Sequence, residues 1–433
     1  MNRSLFRFWL IFVPYVALLY GSLWLAIALR YQNQSVNTAG HYAAFTWIFA
    51  MWLVVFFIFG LFEILALRRY IALIFNMATA MAVNFLVAVI YFYFQPNLIL
   101  TPRRFLLIEV GLAFVFLLVW HLLVKYFIGS KITEGVYLFA FGNELNDLEA
   151  AIRDHSYLGY RVLGNLSEES LLQANISKNA SVVLPDDLNA RPAVAERLYQ
   201  LRTLGVRFYN HRDFYEQLLR KVYLSDINEM WFLENIDYQE KRFYGLVKRL
   251  MDIVLGVVGL IFFIFSLPFC ALLIKLTSQG PIFFVQERVG KKGEKFKVYK
   301  YRTMDGFGPG NTWTSVNDPR ITKAGKFLRK SRIDEWPQFF NLLLGHMSLV
   351  GPRPEQPHIV EELKAQIPFY DERHLVKPGL TGWAQINNVY AASTEETKLK
   401  LQYDLYYIKH RSFLFDLEII LKTIYYIFTW RGR

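Results

Sequence analysis

Four long apolar runs occupy the first third of the chain, Leu5 to Leu29, Tyr42 to Leu67, Ile71 to Phe94 and Phe105 to Ile128. Each is long enough to cross a bilayer as a helix, and the short connections make them a four-helix transmembrane bundle. With the N-terminus inside, Arg3, Arg7, Arg68, Arg69, Lys125 and Lys131 fall on the cytoplasmic side against Arg30, Arg103 and Arg104 outside, so the chain leaves the membrane on the cytoplasmic side. Glu63 stands out as an acid well inside these helices. It is either a functional intramembrane carboxylate or, the commoner case, a residue near a helix end beside Arg68 and Arg69. No small-residue cleavage site follows the first run, which is expected to stay attached as an anchor.

Composition agrees with a membrane protein: 54% of the 433 residues are hydrophobic and 17% aromatic. The formal charge of +12 admits nucleic acid, anionic lipid or a phosphorylated substrate as partner. Most of the basic residues flank membrane segments or lie in the last third, so phosphate-bearing partners at a membrane surface are the economical reading and nucleic acid is not expected. The single cysteine, Cys270, lies in an apolar run, which excludes an internal disulfide or a cysteine metal cluster.

From Glu134 to about Asn235 the pattern becomes short β runs alternating with amphipathic helices. Val136 to Phe141, Tyr160 to Leu163, Ser181 to Leu184 and Val206 to Tyr209 are the expected strands of a small open α/β domain. Its first strand leads into Phe141-Gly-Asn-Glu144, with one glycine where a dinucleotide fingerprint needs three. A structural or regulatory spacer is the reading favoured over a nucleotide site.

The next apolar run, Leu250 to Leu276, contains Ser266 and Pro268 near its middle, where a helix is expected to kink. Lys248 and Arg249 precede the run and Lys275 closes it. Both ends thus carry the charge that prefers the cytoplasm, which suits a re-entrant helix; the alternative is a kinked helix that crosses.

Residues Gly280 to Arg332 carry thirteen Lys or Arg against four Asp or Glu, ahead of Asp334 and Glu335. The pair is followed by a helical stretch, Phe339 to Leu344, ending at Gly345. The carboxylates therefore sit near a helix N-terminus among fixed positive charge. Taken alone Asp334 would more often be an N-cap. In this setting it is a candidate nucleophile toward phosphorus, and Glu335 a candidate oxygen ligand for Mg²⁺. Arg353, between Pro352 and Pro354, is preorganised for an oxyanion. Trp383 and Gln385 in the turn Val376 to Gln385 either line a sugar or base site or serve packing. Tyr403 to Arg411 and the apolar Phe413 to Trp430 read as helices at the lipid interface.

These residues resemble the bacterial sugar transferase family of monotopic phosphoglycosyl transferases in its long form. The resemblance rests on Lys248-Arg-Leu-Met-Asp252, Tyr299-Lys-Tyr-Arg-Thr-Met304, Asn317-Asp-Pro-Arg-Ile321, Asp334-Glu335, Ser348-Leu-Val-Gly-Pro-Arg-Pro354 and Lys377-Pro-Gly-Leu-Thr-Gly-Trp383. It implies a mixed membrane protein with domains over 1–130 (four-helix bundle), 131–238 (Rossmann-like α/β) and 239–433 (mainly helical monotopic catalytic domain). The re-entrant helix, at about 250–276, would use Lys248, Arg249, Asp252, Ser266 and Pro268. The family's adjacent Ser-Pro break appears here as Ser266-Leu-Pro268. The implied reaction transfers hexose-1-phosphate from a UDP-sugar to undecaprenyl phosphate, releasing UMP through a covalent intermediate on Asp334. Glu335 would assist with Mg²⁺, and Arg302, Arg320, Arg329 and Arg353 would bind phosphate or substrate. The implied location is the bacterial inner membrane with a cytoplasmic active site, at the first membrane step of exopolysaccharide, capsule or O-antigen synthesis. The two N-terminal domains offer surface for a homodimer. The rival readings are a polyprenyl-phosphate glycosyltransferase releasing UDP and a non-catalytic membrane scaffold or sensor.

Overall fold

The computed structural model describes residues 3–31, 38–62, 70–94, 102–128, 134–139, 143–154, 159–173, 176, 180–185, 192–224, 227–238, 242–305, 318–387 and 393–428. The chain forms two compact units, Met1–His211 and Arg212–Arg433.

The first unit opens with α1 (Arg3–Tyr31), α2 (Thr38–Ile58), α3 (Tyr70–Tyr93) and α4 (Pro102–Ile128). All four are long and apolar enough to cross a membrane. On α1, Ile11, Tyr15, Leu19, Leu23 and Ala26 are fully buried, a stripe at helical spacing that packs against α4. The expected runs and these helices agree to within a few residues at most ends. Glu63 lies outside the described residues. The sequence reading overlooked Glu109, which is completely buried and accepts a hydrogen bond from the Ser22 hydroxyl at 2.7 Å. Deeper along α4, the Tyr15 hydroxyl meets His121 Nε2 at 2.5 Å.

Four parallel strands follow, β1 (Glu134–Leu138), β2 (Tyr160–Asn165), β3 (Ser181–Leu184) and β4 (Arg207–Asn210), in the order β2-β1-β3-β4. Parallel pairing needs a crossover between consecutive strands, supplied by α5 (Asn143–Asp154), α6 (Glu168–Gln173) and α7 (Pro192–Thr203). Phe139, Leu171, Val182, Val194, Leu201 and Val206 form the core between sheet and helices. The first expected strand ends earlier than its apolar pattern suggested, and Phe141-Gly142 lies outside the described residues.

The boundary expected at 238 moves toward the N-terminus. After α8 (His211–Leu219) and α9 (Glu229–Asn235), Val222, Trp231, Phe232 and Ile236 join a core with Val350, Val360, Trp383, Leu401 and Ile419. This stretch belongs to the second unit because its large side chains are buried there.

In the second unit, α10 (Arg242–Thr277) runs for 36 residues and continues through Pro268. Ser266 Oγ donates to the Phe263 carbonyl at 2.9 Å, satisfying an acceptor just before the proline. The basic segment contains an antiparallel hairpin, β5 (Phe283–Val289) and β6 (Lys295–Tyr301), which the sequence reading did not separate from its charge. Then come α11 (Lys323–Lys330), a 3-10 turn (Ile333–Gln338), α12 (Phe339–Leu344), β7 (Ser348–Val350), α13 (Pro357–Gln366), β8 (Gly379–Thr381), α14 (Trp383–Ile386), α15 (Thr394–His410) and α16 (Phe413–Phe428). The helix expected from Phe339 to Leu344 has those bounds, and Gly345 ends it in the left-handed conformation at φ 82°.

Both halves of α10 pack on this unit. Arg249 donates to the Leu342 and Leu343 carbonyls at 2.7 and 2.8 Å, covering the otherwise open end of α12. Asp252 accepts from Ser348 Oγ and the Leu349 amide, and Lys248 pairs with Asp416 at 2.8 Å. Further along, Cys270 and Ile274 pack with Tyr301 and Leu328.

Candidate active site

Three chain segments build the site. The first is β6, where Phe296 and Val298 point inward and Lys300, two residues on, occupies the same face. The second links α11 to the 3-10 turn. Thr322 caps α11 by accepting from the Gly325 amide at 2.9 Å, and Gly325 lies so close to the Thr303 backbone that a Cβ would collide with it. The chain then turns sharply through Arg332, at φ 59°, which delivers Asp334 and Glu335 into the first turn of the 3-10 helix. The third is the Pro-Arg-Pro loop. It is laced to the turn before Trp383 by Ser348 N–H to Pro378 O, Gly351 N–H to Thr381 O and Gly379 N–H to Pro352 O, each 2.9 Å. No Cβ fits between Gly351 and Gly379, whose backbones touch.

Asp334 and Glu335 are both buried, 8% and 7% exposed, yet their surroundings differ. Glu335 Oε1 accepts from Arg353 Nη2 at 2.8 Å and from Lys300 Nζ at 2.9 Å, while Arg332 stands 3.8 Å from Oε2. Burial would raise Glu335, but Arg353, Lys300 and Arg332 outweigh it and hold the carboxyl well below its usual range. Asp334 Oδ1 is buried without a hydrogen-bond partner. Burial and the neighbouring Glu335 charge raise Asp334 to about 6, against the opposing pull of Lys300, Arg332 and Arg329. One carboxylate is therefore pinned and the other left basic and unpaired. The cations thus concentrate on Glu335, and burial and the Glu335 charge raise Asp334 against those that remain near it.

Of the other expected residues, Arg353 and Arg329 are at this centre. Arg329 Nη1 is buried without a partner and its charge bears on Asp334. Arg320 instead makes a two-pronged pair with Asp318, at 2.9 and 2.6 Å, which holds that carboxyl down to about 2. Arg302 is bonded to the Met304 carbonyl at 3.1 Å and pairs with Asp305. Trp383 resolves to packing: it is 3% exposed, carries the Arg220 guanidinium 4.4 Å above its ring and donates to the Arg220 carbonyl. Gln385 faces a cavity that Glu335 also lines.

Sequence reasoning missed Lys300 as a site residue, although a lysine on the inward period of β6 was the available signal. It also missed a buried layer behind the loop, in which Arg373 pairs with Asp404 at 2.8 Å and Lys400 with Glu355. On α15, Thr397, Lys400, Leu401, Asp404, Leu405 and Ile408 are all buried, so two charges lie on a helical core stripe. That pattern was readable.

Residues 243–430 match the bacterial sugar transferase family. An N-acetylgalactosamine-phosphate transferase acting on undecaprenyl phosphate from Aeromonas hydrophila is 46% identical over 191 residues, 44% of this chain and 45% of that protein. The UDP-glucose:undecaprenyl-phosphate glucose-1-phosphate transferase of Escherichia coli is 42% identical over 184 residues, 42% of this chain and 40% of that protein. The exopolysaccharide production protein PSS of Rhizobium leguminosarum is 40% identical over 192 residues, 41% of this chain and 94% of its own length. The chain belongs to the bacterial sugar transferase family. The part shared with the Aeromonas and Escherichia relatives spans less than half of each. Within this sugar transferase, the matched stretch lies in the second unit and contains Lys300, Asp334, Glu335 and Arg353.

Proposed function

We propose that this sugar transferase moves hexose-1-phosphate from a UDP-sugar to undecaprenyl phosphate and releases UMP. The observation that carries the reading is the division of labour between adjacent buried carboxylates, Asp334 unpaired and Glu335 clamped by Lys300 and Arg353. An Asp334 oxygen attacks the sugar-bearing phosphorus, the pyrophosphate P–O bond breaks, and its electron pair leaves with UMP. A phosphate oxygen of the lipid then attacks the same phosphorus and returns the carboxylate. Lys300, Arg329, Arg332 and Arg353 set a positive field around phosphate charge that the buried carboxylates would otherwise repel.

The donor set suits Mg²⁺. It is all oxygen, with Asp334 Oδ1 unsatisfied and Glu335 Oε2 touched only by Arg332 at 3.8 Å among the described residues. Two carboxylates with substrate phosphates and water are what this cation takes. Glu335, with Asp334 beside it, would hold the ion, which would supply further charge neutralisation on the phosphates.

The packing of α10 supports a membrane arrangement. Asp252, early in α10, and Ile274, late in it, contact the same polar unit, which could not lie on both sides of a bilayer. We therefore read α10 as re-entrant, with the catalytic unit on the cytoplasmic face of the inner membrane, and α1–α4 as a four-helix membrane bundle. The parallel order β2-β1-β3-β4 supports a Rossmann-like middle domain, and a homodimer is the proposed assembly.

The test is to incubate the purified full chain with Mg²⁺, undecaprenyl phosphate and a panel of UDP-sugars and identify the nucleotide produced. UMP is expected, with loss on chelation by EDTA. UDP would replace the reading with glycosyl transfer, and no product from any donor would favour the scaffold.

A further inference from the structure

On its β6 side the β5–β6 hairpin has no further strand alongside it among the described residues. Arg302 N–H donates to the Ile282 carbonyl at 2.9 Å, and the register continues from there to pair Lys300 with Phe284 and Val298 with Gln286. Bonded positions alternate in an antiparallel pair, so the backbone polar groups of Val298 and Lys300 point to β5 and those of Lys297 and Tyr299 point away from it. Such outward groups need partners when they are buried. One side chain supplies both. Asn341 of α12, completely buried, donates from Nδ2 to the Lys297 carbonyl at 2.7 Å and accepts at Oδ1 from the Tyr299 N–H, 3.4 Å away. A primary amide carries donor and acceptor side by side, as a neighbouring strand would, and only one orientation of it serves both groups.

Asn341 follows Glu335 closely in the continuous helical stretch from Ile333 to Leu344. That stretch is seated on α10: a Cβ at Gly256 or Gly259 would collide with Leu343 or Phe339, and Arg249 covers its end. The inward side chains of β6, Phe296 and Val298, pack on Leu342 of the same stretch. Pairing with β5 fixes the register inside the hairpin, but not where the hairpin lies along α12. Apolar contacts are non-directional and tolerate sliding, whereas a pair of hydrogen bonds to defined atoms does not. Lys300, next after Tyr299, meets Glu335 at 2.9 Å. A shift of β6 by one residue would turn that lysine to the opposite face. We propose that Asn341 is a positioning residue for the transfer reaction, holding β6 at the one place along α12 from which Lys300 reaches Glu335. The proposal rests on the phosphoglycosyl reading for the reaction served and adds what sets the lysine in place. A single segment of chain thereby carries both the reacting carboxylates and the amide that brings them their cation.

The test compares the full chain as wild type, Asn341→Leu, Lys300→Met and the double variant, at one Mg²⁺ concentration, by the nucleotide released from the UDP-sugar that the wild type uses. Leucine keeps the forked shape of asparagine and removes both bonds. Turnover of Asn341→Leu should fall at least tenfold, and the acidic limb of its pH profile should move upward as in Lys300→Met. In the Lys300→Met background the same change should cost less than twofold, because the lysine it positions is gone. Asn341→Ser, whose hydroxyl can serve at most one of the two backbone groups, should lie between wild type and Asn341→Leu, and it carries the same comparison if the leucine variant does not fold. Losses that multiply in the double variant, or an acidic limb that stays in place, overturn the assignment and leave Asn341 a packing residue. The two ideas fail separately: multiplying losses with UMP as product retain the transferase and remove the positioning role. UDP as product removes the phosphoglycosyl reading and leaves the comparison of the variants standing.

Discussion

Arg373 donates from Nη2 to the backbone carbonyl of Arg353 at 2.8 Å, so a fully buried arginine holds the peptide from which a second arginine reaches Glu335. The same guanidinium grips Asp404 through Nε and Nη2 and donates to the Tyr370 hydroxyl from Nη1. Arg373→Ala strands the Asp404 carboxylate in the interior, and losing one partner of a buried pair costs about 3–5 kcal/mol. Thermal unfolding should show that loss. Arg373→Lys restores a charge but cannot make the forked contact, so it should recover most stability while turnover stays at least tenfold down. Full turnover in the lysine variant would show that the loop needs no such support.

Replacing Asp334 by Asn keeps its volume and removes its nucleophilicity. Turnover should fall on the order of 10³-fold or more, with the unfolding midpoint unchanged or raised, because the amide relieves the repulsion from Glu335. Wild-type-like turnover would eliminate the covalent route. Intact-mass analysis of wild type with donor alone should show one added hexose-phosphate on the peptide containing Asp334.

The pH profile follows from the Asp334 shift. Attack requires the ionised carboxylate, whose pKa burial and the Glu335 charge raise to about 6 before any cation binds, so kcat/KM for the donor should fall tenfold per pH unit below an acidic limb that moves to lower pH as Mg²⁺ is raised. A profile flat down to pH 4.5 would mean that another group, or an Asp334 of ordinary acidity, governs the step.

Lys300 lowers Asp334 and also bonds Glu335. In Lys300→Met the acidic limb should therefore move upward, toward neutral pH, in addition to any fall in the plateau. A lowered plateau with an unmoved limb would assign Lys300 to substrate binding alone.

Several features were written in the sequence because they are local. The apolar runs gave α1 to α4 and α10, since the length and continuity of hydrophobic residues are set residue by residue. The helix Phe339–Leu344 and its Gly345 stop were equally legible, as was the adjacency of Asp334 and Glu335. What tertiary structure alone decided is which charges meet. Lys300 reaches Glu335 across 35 residues, Arg353 across 18, and Arg373 finds Asp404 across 31. Lysines and arginines normally lie in water, so in the sequence they look like solvated surface, and spacing carries no record of a nonlocal partner. The same limit misplaced the boundary at 238, because Trp231 and Phe232 could be assigned to a core only once that core existed. It also hid the difference between two neighbouring carboxylates. Their chemistry diverges because Arg353 and Lys300 bond directly to Glu335 and hold it down, while burial and the Glu335 charge outweigh the cations around Asp334 and raise it.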